Sequence, residues 1–238
     1  MSLPLKLALL PLLIGQAMAA RRRAPVLPEA AGPREGEVGD GPRSAAVRLL
    51  IVGDSSAAGV GVPHQDQALS GYLTRTVADH SRRRVSWQLK ARTGVTTAGA
   101  LDLLKDDRPA PADVAVAVLG VNDVIEQVPS HRAVAHREAL ADWLLEHAQV
   151  QHVVFAPLPP VHDLPLLPNP LRWVAGADAR RHDEAMARWA ATRDDVSHVP
   201  IDLRLDATVL AIDGFHPGEP VYRRCGEALG RFVAERVL

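Results

Sequence analysis

The sequence predicts a single α/β domain in which a doubly wound parallel sheet is covered by helices on both faces. Two observations predict it: short apolar runs alternate with longer, helix-like stretches, and several of the apolar runs are continuous. Continuous apolar runs are typical of strands that are buried on both faces. The 238 residues, of which 47% are hydrophobic, suffice for one domain with a full core.

Five strands are expected from residue 47 onward. The first is the run Val47–Val52, apolar except at Arg48, and the third, Val114–Leu119, is apolar throughout. The second, Val85–Ala91, alternates apolar and polar residues as a strand does. Two short runs complete the set, at His152–Ala156 and Val196–Ile201.

The stretches between and after these strands have the apolar spacing of helices. They are Ala68–Arg83, Thr96–Leu104, Ala133–Ala148, Asp178–Thr192 and Glu219–Val237. This alternation favours parallel strands that are joined by helical crossovers. In such sheets ligands bind outside the carboxyl ends of the strands, so residues at these ends are the first candidates for a functional site.

The chain before residue 47 is expected to lie outside this domain. In residues 1–20, the segment Leu7–Ala20 is almost uncharged and apolar but too short to span a bilayer comfortably. The small residues around Met18 fit a signal-peptide cleavage site, which favours export to the periplasm or the medium. Arg21–Arg23 favour the alternative, an uncleaved segment in peripheral contact with the cytoplasmic membrane face. Residues 21–46, rich in Pro, Gly and Arg, are expected to form an extended linker to the domain at 47–238.

Composition argues against several classes of partner. The formal net charge is −1, so no excess of Lys and Arg indicates a nucleic-acid partner. The single cysteine, Cys225, cannot form an internal disulfide and is expected to be a packed small residue. No group of His and Cys residues has metal-ligand spacing, and we expect neither a metal nor a cofactor.

Three short motifs follow strand ends or precede the last helix. They are Gly53-Asp54-Ser55, Gly120-Val121-Asn122-Asp123 and Asp213-Gly214-Phe215-His216-Pro217. All three are expected at one rim of the sheet. A serine hydroxyl becomes nucleophilic when a base lies within hydrogen-bonding reach, and histidine suits that role near neutral pH. A carboxylate can then orient the imidazole and stabilise its charged form.

The order and position of these motifs resemble the SGNH (GDSL-type) hydrolase family over roughly residues 47–237. The resemblance implies a flavodoxin-like three-layer α/β/α fold and a serine esterase or lipase that forms an acyl-enzyme without a cofactor. It also implies the roles: Ser55 nucleophile, His216 base and Asp213 orienting carboxylate. The oxyanion hole would combine the Ser55 N–H, the Gly94 N–H and the Asn122 side chain, with Gly99 a rival for Gly94.

Two features depart from a simple match. Ser56 stands where the family name has leucine, which leaves two adjacent serines; Ser55 is favoured because it directly follows Gly-Asp. Asp54 is expected to organise the turn rather than act as a base. The glycines Gly59 and Gly61 also suggest a phosphate loop, but the Lys-Ser/Thr of a Walker motif and the third glycine of a dinucleotide fingerprint are missing.

The segment Pro157–Trp173, with six prolines, follows the fourth strand and is expected to overhang the same rim. Two interpretations remain open: it lines an acyl pocket, or it is a rigid cover for a sheet edge. The predicted substrate is a small-molecule ester, either lipid-like or with a small acyl group. Two other functions stay open, an acyltransferase that uses the same site and a catalytically silent binding module on the same fold.

Overall fold

The structure is a computed structural model that describes residues 3–42 and 45–238. It contains six strands: β1 (Glu35–Val38), β2 (Val47–Gly53), β3 (Val85–Ala91), β4 (Val114–Val118), β5 (His152–Phe155) and β6 (Val196–His198). The helices are α1 (Leu3–Arg23), α2 (Leu69–Ser81), α3 (Thr97–Asp106), α4 (Val121–Ile125), α5 (Ser130–His147), α6 (Leu171–Ala190) and α7 (Glu219–Phe232). A π-helical turn, Val233–Val237, follows α7.

The strands form one sheet in the order β1-β3-β2-β4-β5-β6. The five strands from β2 onward are mutually parallel, which confirms the predicted doubly wound fold. Successive residues of β2 enter opposite cores: Leu50 packs with α3, α5 and α6, whereas Ile51 packs with α2 and α7. Burial on both faces explains why this strand is apolar except at Arg48, and each buried apolar side chain contributes about 1.5–3 kcal/mol.

The prediction of an extended linker over residues 21–46 was wrong in its second half. β1 lies in this segment and pairs antiparallel with β3, with Glu35 opposite Gln88 and Val38 opposite Val85. An edge strand of four residues needs only backbone hydrogen bonds on one side, so it leaves no apolar pattern in the sequence. The sheet is therefore mixed, with its parallel strands flanked by one antiparallel edge.

The first helix also packs against the domain. Leu13 and Ala20 of α1 are buried. The Gln16 side chain donates a hydrogen bond to the Asn169 carbonyl (2.7 Å) and accepts one from the Leu171 N–H (3.0 Å) at the start of α6. In the described part of the chain, none of the helices combines the length and the apolar character needed to cross a membrane.

Two helices near the functional rim differ from the predicted elements. α6 begins at Leu171 rather than at Asp178, so the end of the proline-rich segment is helical. Pro170 precedes it, and proline is compatible with the first turn of a helix. α4 was not expected because five residues are too few to show a helical period, and it places Asn122 on a helical turn rather than in a loop.

Candidate active site

The nucleophile turn follows the carboxyl end of β2. Gly53 is required there, because a Cβ atom would lie 2.3 Å from the Cβ of Ala57. Asp54 organises the turn, as expected: its Oδ1 accepts the Ser56 N–H (2.9 Å) and its carbonyl accepts the Ala58 N–H (2.9 Å). The turn presents Ser55, which is itself largely buried, at the rim of the sheet.

A chain of hydrogen bonds joins the three residues of the predicted triad. Ser55 Oγ lies 3.1 Å from His216 Nε2, and His216 Nδ1 lies 2.5 Å from Asp213 Oδ2. This is the geometry in which imidazole can take the serine proton while a carboxylate fixes its tautomer. The structure thus brings Ser55, rather than Ser56, to the histidine.

The turn that carries Asp213 and His216 is held by its own backbone. The second oxygen of Asp213 accepts the N–H groups of Phe215 and His216, both at 3.0 Å. Gly214 adopts φ 65°, a conformation that favours glycine. The His216 carbonyl accepts the Ala211 N–H (2.9 Å), which closes the turn. Both residues are therefore delivered to Ser55 from one short segment.

The electrostatics of Asp213 suit an ionised partner for imidazole. Burial alone would raise the pKa of Asp213. The hydrogen bonds from the His216 side chain and from the Phe215 and His216 N–H groups outweigh that effect, and they hold the pKa below its usual value. A carboxylate that stays ionised can stabilise the imidazolium formed during proton transfer.

The two backbone groups predicted for the oxyanion hole are free to donate. Among the described residues, neither the Ser55 N–H nor the Gly94 N–H makes a hydrogen bond. Gly94 has φ 84°, and a Cβ atom built on it would meet nothing within 4 Å, so it faces open space. The rival Gly99 lies in the first turn of α3, where its N–H donates to Thr96 Oγ1 (3.2 Å). That helix cap removes Gly99 as a candidate.

Asn122 connects the separate segments of this half of the site. Its Nδ2 donates to the carbonyl of Val95 (2.9 Å), the residue after Gly94, and lies 3.4 Å from Asp54 Oδ2. The amide therefore lies between the nucleophile turn and the Gly94 loop. To donate to an oxyanion, it must exchange one of these contacts.

A buried polar network anchors α4 below the rim. Asp123 accepts hydrogen bonds from the Thr97 N–H (3.0 Å) and from Thr97 Oγ1 (2.5 Å), which ties α4 to the start of α3. Arg137 of α5, 0% exposed, places Nη2 3.6 Å from Asp123 Oδ2. Gly120 makes room for it, because a Cβ atom there would lie 2.4 Å from that nitrogen.

Sequence reasoning missed Arg137, although a signal was present. Ala133, Leu140 and Leu144 form the buried stripe of α5, and Arg137 falls on the same face by helical spacing. An arginine within an apolar stripe indicates a buried partner of opposite charge.

A second carboxyl group beside the nucleophile behaves differently from Asp213. Asp54 is 3% exposed, and burial raises its pKa to about 6. The Ser56 N–H and the charge of His216 oppose this shift, whereas the charge of Asp123 adds to it. Asp54 can therefore take up a proton in mildly acidic solution.

The proline-rich segment packs on the triad turn, at the predicted rim. The Leu166 N–H donates to the Gly214 carbonyl (3.3 Å). Leu158, Val161 and Leu164 are buried in the core, and a short 3₁₀ turn spans Val161–Asp163. Trp173, at its end, is 50% exposed. Whether the segment lines an acyl pocket stays a prediction.

Cys225 is a packed residue of the core. Cys225 packs against both cores, and burial raises the pKa of its thiol to about 12, as suits a packed small residue. Over residues 3–42 and 45–238, no three His, Cys, Asp or Glu side chains are grouped so that they could hold a metal ion.

Comparisons with known proteins identify the family of the chain. Residues 51–224 match the GDSL-like Lipase/Acylhydrolase family. A GDSL-like esterase of Mycobacterium tuberculosis is 28% identical over 203 residues, which are 80% of this chain and 62% of that protein, so the chain spans less than two thirds of this relative.

Solved structures share the fold. The lipase Lip_vut3 from a goat rumen metagenome superposes with a TM-score of 0.63 at 17% identity, over 81% of this chain and 100% of that one. A lipase/acylhydrolase from Enterococcus faecalis gives 0.60 at 18% identity, over 80% and 96%. At these identities the likeness shows the fold alone.

Proposed function

The chain belongs to the GDSL-like lipase/acylhydrolase family, an ester-hydrolysing family, and we propose that it cleaves carboxylic esters with Ser55 as nucleophile. The observation that carries the proposal is the chain of hydrogen bonds from Ser55 through His216 to Asp213 at the rim of the sheet. The Ser55–His216 distance is within the reach that proton transfer requires, and the bond to Asp213 orients the imidazole.

In the proposed reaction, Ser55 Oγ attacks the ester carbonyl carbon as His216 Nε2 takes its proton. The resulting oxyanion accepts hydrogen bonds from the Ser55 N–H, the Gly94 N–H and the Asn122 amide. Collapse of this intermediate expels the alcohol, which receives the proton from His216, and leaves an acyl-enzyme. Water, deprotonated by His216, then attacks the acyl carbon, and His216 returns the proton to Ser55 Oγ as the acid is released.

Three exposed apolar side chains support an acyl group of medium length or a lipid-like ester. Ile212, 86% exposed, precedes Asp213; Ile125 lies at the end of the helix that carries Asn122; Trp173 ends the proline-rich segment. We propose that these side chains contact the acyl group, because sites for apolar ligands are lined mainly by apolar side chains.

A series of p-nitrophenyl esters tests both levels of the proposal. We expect hydrolysis that depends on Ser55 and a kcat/KM that rises from acetate to octanoate. Trp173→Ala should lower kcat/KM for octanoate more than for acetate, whereas Val26→Ala, a matched change at another exposed apolar residue, should alter neither. Hydrolysis with a preference for acetate would remove the lipid-like substrate and leave the esterase.

The same assay, repeated with an added alcohol and with analysis of the products, distinguishes the alternative functions. An acyltransferase would yield the ester of an added alcohol in excess over the free acid. A silent binding module would yield no product that depends on Ser55.

We propose that residues 1–20 direct the chain out of the cytoplasm. The exposed Leu10, Leu12, Ile14 and Met18 of α1 support an apolar leader, and they equally support the competing hypothesis of peripheral membrane contact. Expression in a bacterial host with cell fractionation and N-terminal sequencing tests this. A periplasmic chain that begins near residue 20 is expected, and an uncleaved chain in the inner-membrane fraction would contradict export.

A further inference from the structure

The segment from Glu29 to Val38, here named the strap, contacts both loops that carry the backbone donors of the site. Its contact with the Gly94 loop is made by Glu29, whose Oε1 accepts the Thr93 N–H (2.8 Å) and Thr93 Oγ1 (2.7 Å). The residue immediately before Gly94 is thus held at two points by one carboxylate oxygen.

Arg34 completes the contact from the other side. Its Nη2 donates to Glu29 Oε2 (2.6 Å) and its Nη1 to the Ala91 carbonyl (2.8 Å), at the end of β3. Burial raises the pKa of Glu29, but the Thr93 hydrogen bonds and the charge of Arg34 outweigh burial and lower it. The carboxylate is therefore ionised at neutral pH, which strengthens both bonds to Thr93.

The strap also supports the loop after the nucleophile. The Ala30 N–H donates to the Ala58 carbonyl (3.2 Å), and the buried Gln65 amide donates to the carbonyls of Ala30 (3.2 Å) and Ala58 (3.0 Å). Gly59 permits this approach, because a Cβ atom there would lie 2.7 Å from the Cβ of Ala30. One segment thus fixes the nucleophile loop relative to the Gly94 loop.

The Gly94 loop is otherwise held at its two flanks: the Arg92 N–H donates to the Gly53 carbonyl (3.2 Å) and the Val95 carbonyl accepts Asn122 Nδ2 (2.9 Å). Between these flanks, the described residues leave Thr93 and Gly94 to the contact with Glu29. Gly94 has no side chain, faces open space and adopts a φ of 84°. The direction of its N–H is set by the peptide plane that it shares with Thr93. A donor contributes to oxyanion stabilisation only when it is aimed before the charge develops.

We propose that Glu29 is a positioning residue that aims the Gly94 N–H at the oxyanion through Thr93. This inference rests on the proposed function, since it requires an ester carbonyl to be attacked at Ser55. Glu29, in a segment that was expected to be a linker, then supports the oxyanion half of the site without touching substrate.

The test compares two carboxylates of the strap. Glu29→Ala should lower kcat about 10- to 100-fold with KM nearly unchanged, because a misplaced donor costs up to about as much as a lost one. Glu35→Ala removes a matched, exposed carboxylate from the same strap and should leave kcat unchanged. Glu29→Gln, which keeps an acceptor for Thr93, should recover part of the loss.

Two readouts separate positioning from stability. Activity is expressed per active site after titration with a fluorophosphonate, so an unfolded fraction does not count. Inhibition by a trifluoromethyl ketone, which forms a tetrahedral oxyanion on serine, should weaken in parallel with kcat/KM across the Glu29 variants. If Glu29→Ala lowers the melting temperature while kcat per site and this inhibition stay at wild-type values, the proposal is overturned.

A milder variant keeps the test decisive should Glu29→Ala not fold. Thr93→Val removes only the hydroxyl bond to Glu29 and should lower kcat about 3- to 10-fold, as the loss of one of several orienting bonds does. A wild-type kcat in Thr93→Val would then overturn the proposal. Ser55→Ala is measured in the same assay. If Ser55→Ala retains activity, the proposed function is wrong. If Ser55→Ala is inactive while the Glu29 and Thr93 variants have wild-type activity, only the positioning role of Glu29 is wrong.

Discussion

The two halves of the site are built in different ways. The half that activates the nucleophile is local: Asp213 and His216 lie three residues apart, in a turn closed by its own backbone, and they reach one distant partner, Ser55. The half that would receive the oxyanion draws on separate segments. Asn122 and Gly94 lie on different segments, and each is held in place by residues far from it in sequence.

The difference extends to charge. Asp213 accepts three hydrogen bonds, which lower its pKa, whereas burial raises the pKa of Asp54 to about 6. The Asp213 turn keeps its carboxylate ionised with its own N–H groups and His216. In the oxyanion half, by contrast, Asp123 is buried against partners on other helices, Thr97 and Arg137. The oxyanion half is therefore the part that distant substitutions should damage.

The largest effect is expected in the nucleophile half. Ser55→Ala should lower kcat about 10⁴- to 10⁶-fold, as removal of a triad residue does. Ser56→Ala, the neighbouring matched change, should cost far less because the structure gives His216 no bond to Ser56 within the described residues. Steady-state kinetics on one ester checks this prediction. An inactive Ser56→Ala together with an active Ser55→Ala would make Ser56 the nucleophile.

The next largest effect concerns the stability of the oxyanion half. Arg137→Met leaves Asp123 buried without its cation and should lower the free energy of unfolding by about 3–5 kcal/mol. Urea denaturation measures it, with Arg132→Met, an exposed arginine of the same helix, as the control. Adding Asp123→Asn should restore part of the loss, because the uncompensated charge is removed. Equal stability of Arg137→Met and Arg132→Met would show that the pair does not anchor α4.

Asn122→Ala should act on the rate more than on the fold. Loss of one oxyanion donor costs roughly 10²–10³ in kcat, or about 2.7–4 kcal/mol, with KM nearly unchanged. The bond to the Val95 carbonyl is also lost, so the free energy of unfolding should fall by about 1 kcal/mol. Kinetics and thermal melting on the same sample distinguish an oxyanion donor from a structural residue. A destabilised but fully active variant would show that Asn122 is only structural.

The last effect is a pH dependence that Asp54 contributes to stability. Its folded pKa, about 6, lies above its usual 3.8, so the folded state binds more protons between these values. Stability from this group is therefore greatest below about pH 4 and declines as pH rises to about 6, by an amount on the order of 3 kcal/mol. Asp54→Asn should abolish this decline in urea denaturation. An unchanged pH profile would place the titration on another group.

The comparison also explains what the sequence could predict. Strand β4 was recognisable because burial on both faces requires continuous apolar residues, and β2 because only Arg48 interrupts such a run. The triad was recognisable because its motifs lie at strand ends and before the last helix, in the order of the family that they resemble. Strand β1 could not be recognised, because backbone pairing at the edge of a sheet leaves no periodic pattern in the sequence. The contacts of Glu29 could not be recognised either, because its partner Thr93 is distant in sequence. Arg137 was partly predictable: its place in the apolar stripe of α5 can be seen in the sequence, but the identity of its partner, Asp123, cannot.

The central claim is that Ser55 is the activated nucleophile, and covalent labelling tests it most directly. A fluorophosphonate should add one phosphonyl group per chain as the serine oxygen displaces fluoride, and fragmentation of the modified peptide can separate Ser55 from Ser56. We expect a label on Ser55 in the wild-type chain and in Ser56→Ala, and none in Ser55→Ala. A label on Ser56, or labelling that persists in Ser55→Ala, would contradict it.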